Sequence, residues 1–200
     1  MTEQDDDKLK AALDVLMPWA KDDPWPPEPD PTAFEIDFDP LVQRMSGVAI
    51  HGNVPFDVPF ISELDDNLWQ GGCEYGLILP THIQHLLSLY PWEKYTIEHE
   101  MLSEKYVEMY DSESQAFDQV IELAREVNEN RKTGPVLVHC QAGLNRSSLV
   151  AATALVLDGV PARDAVAQIR DRRSPACLCN PSFENWLLFR LPRILEAQDG

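Results

Sequence analysis

The chain has no apolar run near the roughly 20 residues needed to cross a bilayer. Its opening residues, Met1 to Lys10, are acidic and polar, which does not read as a secretory signal. Without export the expected compartment is the reducing cytosol, and a cytoplasmic protein that makes no use of membranes is expected. Cysteine is scarce. Four residues (Cys73, Cys140, Cys177, Cys179) are too few for a dense disulfide framework, and in that compartment they stand as free thiols. Cys177 and Cys179 have no second Cys/His pair at ligand spacing, so zinc is not expected. Positive charge is also short: 16 Lys+Arg against 34 Asp+Glu give a net charge of -18. Residues 1–120 carry 6 Lys+Arg and 25 Asp+Glu, whereas residues 121–200 carry 10 and 9. A field of that sign repels polyanions, so nucleic acid is not the expected partner. Screening beyond about 10 Å still leaves room for one local cationic pocket.

Two hundred residues suffice for one α/β domain plus an arm. Residues 7–20 show a helical stripe of Leu9, Ala12, Leu13, Leu16 and Met17 behind three aspartates. Seven prolines between Pro18 and Pro40 then forbid regular helix. Interleaved Trp19, Trp25, Phe34 and Phe38 suggest an arm that lies against the domain. The division expected is residues 1–44 as acidic helix and proline-rich arm, and 45–200 as the folded domain.

Beyond residue 45, Ile61 to Gln70 and Ile83 to Tyr90 read as strands, with a short strand ending at Met109. Ser114 to Glu129 has amphipathic helical spacing, broken by Gly134-Pro135. Val136 to His139 is a short apolar run typical of a buried central strand. Helices are expected over Ser147 to Leu157, Asp164 to Asp171 and Phe183 to Leu195. Strands alternating with helices predict an α/β fold with a central, mostly parallel sheet flanked by helices. His82 and His85 read as surface or rim residues, and Trp92 as a packing residue.

Between the buried strand and the apolar helix lies His139-Cys-Gln-Ala-Gly-Leu-Asn-Arg146-Ser147-Ser148. A strand end feeding a helix N-terminus gathers free N–H groups and positive dipole potential at one point. Five residues between Cys140 and Arg146 let the backbone curl into a nest for one tetrahedral oxyanion. Gln141, Ala142, Gly143, Leu144 and Asn145 would supply its backbone donors, with Gly143 taking the close turn. A thiol in that field ionises readily, making Cys140 a candidate nucleophile. Arg146 offers a planar fork to phosphate, and the Ser147 hydroxyl can help the sulfur leave. His139 groups with this phosphate-binding set as a brace rather than as a base. Chance matches to the Cys, Arg, His, Gly and hydroxyl pattern run at roughly 10⁻⁵ per chain of this length.

This loop resembles the phosphate-binding loop of protein tyrosine phosphatases, and most closely that of the dual-specificity branch. Asp66-Asn-Leu-Trp-Gln-Gly-Gly72, Ile83-Gln-His-Leu-Leu-Ser-Leu, Arg170 to Pro175 and Asn180-Pro-Ser-Phe183 resemble its supporting segments. The resemblance covers about residues 61–195. It implies the protein-tyrosine-phosphatase-like fold, a phosphorylated protein as substrate and partner, and hydrolysis through a phosphocysteine intermediate without metal or organic cofactor. It also implies a general acid some thirty residues before the nucleophile. Asp111 fits that place, and Glu113 and Asp118 compete with it. The tyrosine-specific branch would show Trp-Pro-Asp there. Its absence implies the shallower pocket that admits phosphoserine and phosphothreonine beside phosphotyrosine. Two alternatives stay open: an RNA 5′-triphosphatase-type enzyme, suggested by Asn145 before Arg146, and a non-catalytic phosphoprotein-binding module.

Overall fold

A computed structural model describes residues 39–198. The helix expected over residues 7–20 and nearly all of the proline-rich arm lie outside them. The first described strands form a hairpin that the sequence reading did not anticipate. In it, β1 (Arg44–Val48) pairs antiparallel with β2 (Pro55–Pro59) as a separate two-stranded sheet.

The central sheet has five strands: β3 (Ile61–Asp65), β4 (Leu68–Gly71), β5 (His85–Ser88), β6 (Ser103–Tyr106) and β7 (Val136–His139). Their order is β3-β4-β7-β5-β6. The β3–β4 pair is antiparallel and the other three pairings are parallel. The single strand expected over residues 61–70 is therefore a hairpin. It turns at Asp66-Asn67, where Asn67 takes φ 57°, a left-handed conformation that Asn tolerates. The strand expected to end at Met109 ends at Tyr106, because only residues 103–106 pair with β5.

Helices α1 (Phe117–Arg131), α2 (Arg146–Leu157) and α3 (Ala162–Arg172) follow the expected pattern within a few residues. The expected last helix is broken into α4 (Pro181–Asn185), a π-helical turn (Trp186–Arg190) and α5 (Leu191–Gln198).

The middle strand explains why its sequence shows no alternation. In β7, Val136 and Val138 join the core shared with α1, α2 and α3. Leu137 points to the opposite core, where Phe60, Ile61, Leu79, Ile83 and Tyr95 cover the other face of the sheet. Helix α2 is buried nearly all round from Ser147 to Leu155, which is why its sequence is apolar without a polar stripe. His85 corrects the rim expectation. It is buried in β5, with Nδ1 2.7 Å from Ser103 Oγ and Nε2 2.8 Å from Thr133 Oγ1. His82 is exposed as expected, with its ring 4.7 Å from that of Trp69.

Leu149 sits in the first turn of α2 with no exposed surface and anchors the helix behind the loop. Leu149→Ala is expected to lower unfolding free energy by about 2–5 kcal/mol, the usual range for a buried leucine, in a urea titration.

Candidate active site

Strand β7 ends at His139, and α2 begins at Arg146. In the intervening loop every carbonyl is drawn outward. Gln141 O accepts from Cys73 N at 2.9 Å. Ala142 O accepts from Arg173 Nη2 at 3.3 Å, and Gly143 O from Gln70 Nε2 at 2.8 Å and Arg173 Nε at 2.5 Å. Leu144 O takes Leu178 N at 2.8 Å and Ser148 Oγ at 2.7 Å, while Asn145 O takes Leu149 N at 2.8 Å. The N–H groups of 141–145 take no partner among the described residues. Carbonyls fixed outside leave amides turned inward, the arrangement of an anion nest at a helix N-terminus.

Gly143 makes that curl possible. It has φ 68°, and a Cβ there would run into the Gly71 backbone and the Arg173 guanidinium. Arg173 itself is buried and donates five hydrogen bonds, the remaining three to Pro59 O, Ser62 Oγ and Gln70 O. Burial pulls its pKa down, opposed by the neighbouring Cys177 and Cys140 thiols and the Tyr95 phenol.

Cys140 opens the loop at 2% exposure, with Sγ 3.4 Å from Ser147 Oγ. Arg146 donates from Nη1 to Met109 O at 3.3 Å and lies over the Tyr90 ring, 5.1 Å from its centroid. Its Nε is buried and has no partner among the described residues. One cleft of about 210 Å³ is lined by Cys140, Gln141, Ala142, Leu144, Asn145, Arg146 and Asp111. Val48, Ala49, Ile50 and Phe56 of the hairpin form its apolar wall.

Asp111 is half-buried at the rim of that cleft and is held from three sides. Oδ2 accepts from Asn145 Nδ2 at 3.0 Å and Oδ1 from Asn180 Nδ2 at 2.8 Å. His51 Nε2 lies 2.8 Å from Asp111 O and 3.3 Å from Oδ1. Its rivals Glu113 and Asp118 are exposed and do not line the cleft. Asn145, read from sequence only as a loop donor, thus also ties Asp111 to the loop. Its Oδ1 accepts from Asn180 N at 3.1 Å and Cys179 Sγ at 3.2 Å.

His139 lies beneath the loop rather than in the cleft. It is fully buried against the edge of Tyr95 (centroids 5.3 Å apart), and Nδ1–H donates to Cys140 O at 3.4 Å. Burial lowers its pKa to about 4, aided by Arg146 and partly opposed by the Cys140 carbonyl, so it is neutral near pH 7. Cys73 and Cys177 are buried thiols whose pKa burial pushes up, and Cys179 is half-buried and also raised by burial. No three His, Cys, Asp or Glu side chains converge on a metal position among the described residues. No helix there is long and apolar enough to cross a membrane.

Sequence reasoning missed His51, Gln70 and Tyr90. Gln70 was discoverable as the one amide in an apolar strand, and its Nε2 reaches Ser147 Oγ and Ser148 Oγ as well as Gly143 O. His51 carries no local signal, since its partner is 60 residues away.

This geometry agrees with the comparisons to known proteins. The family model described as "Dual specificity phosphatase, catalytic domain" matches residues 81–190, more than half of the chain. The chain belongs to that family. The protein tyrosine phosphatase PRL-1 of Trypanosoma cruzi is 41% identical over 75 residues. That alignment spans 36% of this chain and 42% of the relative, well under half of either. Among solved structures, a mouse dual specificity phosphatase complexed with zinc tungstate aligns with TM-score 0.59 at 19% identity, covering 70% of this chain and 91% of the other. Human DUSP28 aligns with TM-score 0.58 at 18% identity, covering 68% and 99%. These likenesses show the fold.

Two measurements test the cradle. Gly143→Ala is expected to cost roughly 1–3 kcal/mol of stability from forced positive φ and the backbone clash. Gln141→Ala, exposed in the same loop, should stay within about 0.5 kcal/mol in the same urea titration. Because the folded pKa of His139 lies below the unfolded value, its contribution is complete above about pH 6.5 and is lost as pH falls toward 4. Over that window the wild-type protein should lose on the order of 3 kcal/mol more than His139→Gln in thermal unfolding, and parallel curves would contradict the assignment.

Proposed function

We propose that the chain is a protein phosphatase that hydrolyses phosphotyrosine, with phosphoserine and phosphothreonine as further substrates, through a phosphocysteine intermediate. One observation carries the reading. A single thiol stands at the mouth of a loop whose carbonyls all point away, with an arginine and a carboxylate lining the same cleft.

The substrate's phosphate enters the nest, where the amides of 141–145 and the Arg146 guanidinium balance its charge. The Cys140 thiolate attacks phosphorus. The S–P bond forms as the P–O ester bond breaks, and Asp111 gives its proton to the leaving oxygen. Water then attacks phosphorus while Asp111 takes back a proton. The S–P bond breaks, releasing inorganic phosphate and a thiolate that accepts a hydrogen bond from Ser147 Oγ. The amide groups of Asn145 and Asn180, together with His51, hold Asp111 at the cleft's edge. His139 stays neutral and serves only to support Cys140 O. The apolar wall of Val48, Ala49, Ile50 and Phe56 suits an aromatic ring, which supports phosphotyrosine as a substrate. The structural tasks found for Asn145 account for it without recourse to RNA.

Cys140→Ser is expected to abolish release of phosphate from a phosphotyrosine peptide while retaining tungstate binding. Asp111→Asn should slow turnover of that peptide by roughly 10²- to 10⁴-fold. A loss below tenfold moves the acid elsewhere. Wild-type protein as inert as Cys140→Ser leaves a binding module, and release from triphosphate-ended RNA alone makes the RNA enzyme the correct reading.

A further inference from the structure

A second cleft of about 200 Å³ opens beside the first and shares Arg146 and Asp111 with it. Tyr90, Trp92, Tyr110 and Glu108 also line it. Trp92 was expected to be a packing residue, yet it is 58% exposed, and Tyr110 is 59% exposed. Neither contributes to a buried core. The rings of Tyr90 and Trp92 lie 6.3 Å apart at 54°. Arg146 lies over the Tyr90 ring, while Trp92 and Tyr110 remain mostly exposed. The proximity of Glu108 raises the Tyr110 phenol pKa.

The surroundings are strongly acidic. Residues 91–113 contain seven carboxylates (Glu93, Glu98, Glu100, Glu104, Glu108, Asp111, Glu113) and two lysines. Both lysines have partners: Lys105 Nζ pairs with Glu126 at 2.5 Å, and Lys94 Nζ lies 4.6 Å over the Tyr106 ring. Of the charged residues that line the cleft, Glu108 and Asp111 are acidic and Arg146, which the phosphatase reading assigns to phosphate, is basic. Exposed aromatic rings and an exposed carboxylate lining one cleft suit a cation: the ring quadrupoles and the acid attract the same charge. An apolar side chain would have to desolvate Glu108 without compensation, and an anionic one would be repelled.

Resting on the phosphatase reading above, we infer that Trp92, Tyr110 and Glu108 form a specificity subsite for a lysine or arginine within three residues of the phosphorylated side chain. The subsite selects among substrates and takes no part in the chemistry. It attracts basic phosphopeptides to an otherwise acidic protein.

The test is a phosphotyrosine peptide series with Arg, Ala or Glu placed at each position from three before to three after the phosphorylated residue. Phosphate release is read as kcat/KM beside a small aryl phosphate. Arg at one or more of these positions is expected to raise kcat/KM about tenfold over Ala, the scale of one cation–π contact plus one exposed ion pair, and Glu to lower it. The gain should shrink as salt rises. Trp92→Ala and Glu108→Gln should each reduce the Arg preference while leaving aryl phosphate turnover within about twofold of wild type, since both act on the flanking residue alone. Equal rates for Arg and Ala at every position, or a preference that survives both substitutions, overturns the inference while the phosphatase reading stands. An aryl phosphate left intact by wild-type protein overturns that reading and the inference with it.

Discussion

The outward anchoring of five consecutive carbonyls is the constraint from which the rest of the site follows. A peptide unit cannot turn its C=O one way without turning its N–H the other. Fixing the carbonyls of 141–145 on Cys73, Arg173, Gln70, Leu178, Ser148 and Leu149 therefore turns the amides of 142–146 to the opposite side. The anchors come from β4, the segment after it, α2, and the segment that follows α3. The cradle is thus a product of the assembled domain and not of the loop alone. Gly143 is where this closure would fail with any side chain present, because its neighbour is the backbone of Gly71.

A second network converges on Asp111. The Asn145 amide bridges the loop, the Asp111 carboxylate and the Asn180 backbone, and Asn180 closes the ring through its own side chain. The His51 contact adds the β1–β2 hairpin to the same group, so three segments distant in sequence from Asp111 define the position of one carboxylate. The hairpin also contributes the apolar wall of the cleft, which ties the cleft's lining and the placement of the Asp111 carboxylate to one element.

The parts legible in the sequence were those with local signals. The apolar run 136–139 and the amphipathic spacing before it located β7 and α1, and the Cys-to-Arg spacing located the loop. Where residues act across the fold, the sequence was silent or misleading. His85 looks like a rim residue until Ser103 and Thr133 are seen on its two ring nitrogens. The run 61–70 reads as one strand because the left-handed Asn67 that folds it back is a single residue in a continuous pattern. Trp92 reads as a packing residue because bulky aromatics are mostly buried, and only the fold reveals that it stands on the surface. Periodicity reports which face of an element is apolar; it cannot report which distant partner a polar group will meet.

Arg173 carries a consequence for how this domain can vary. Its planar fork joins Ala142 and Gly143 to Pro59, Ser62 and Gln70, so one side chain staples the loop to the strand edge beneath it. An ammonium, with its donors on one atom, could not span these five acceptors. A descendant chain could not loosen the cradle gradually at this position, because any replacement strips several buried carbonyls at once. Variation in what the cleft accepts is then channelled toward the rim, where side chains can change without disturbing what lies below.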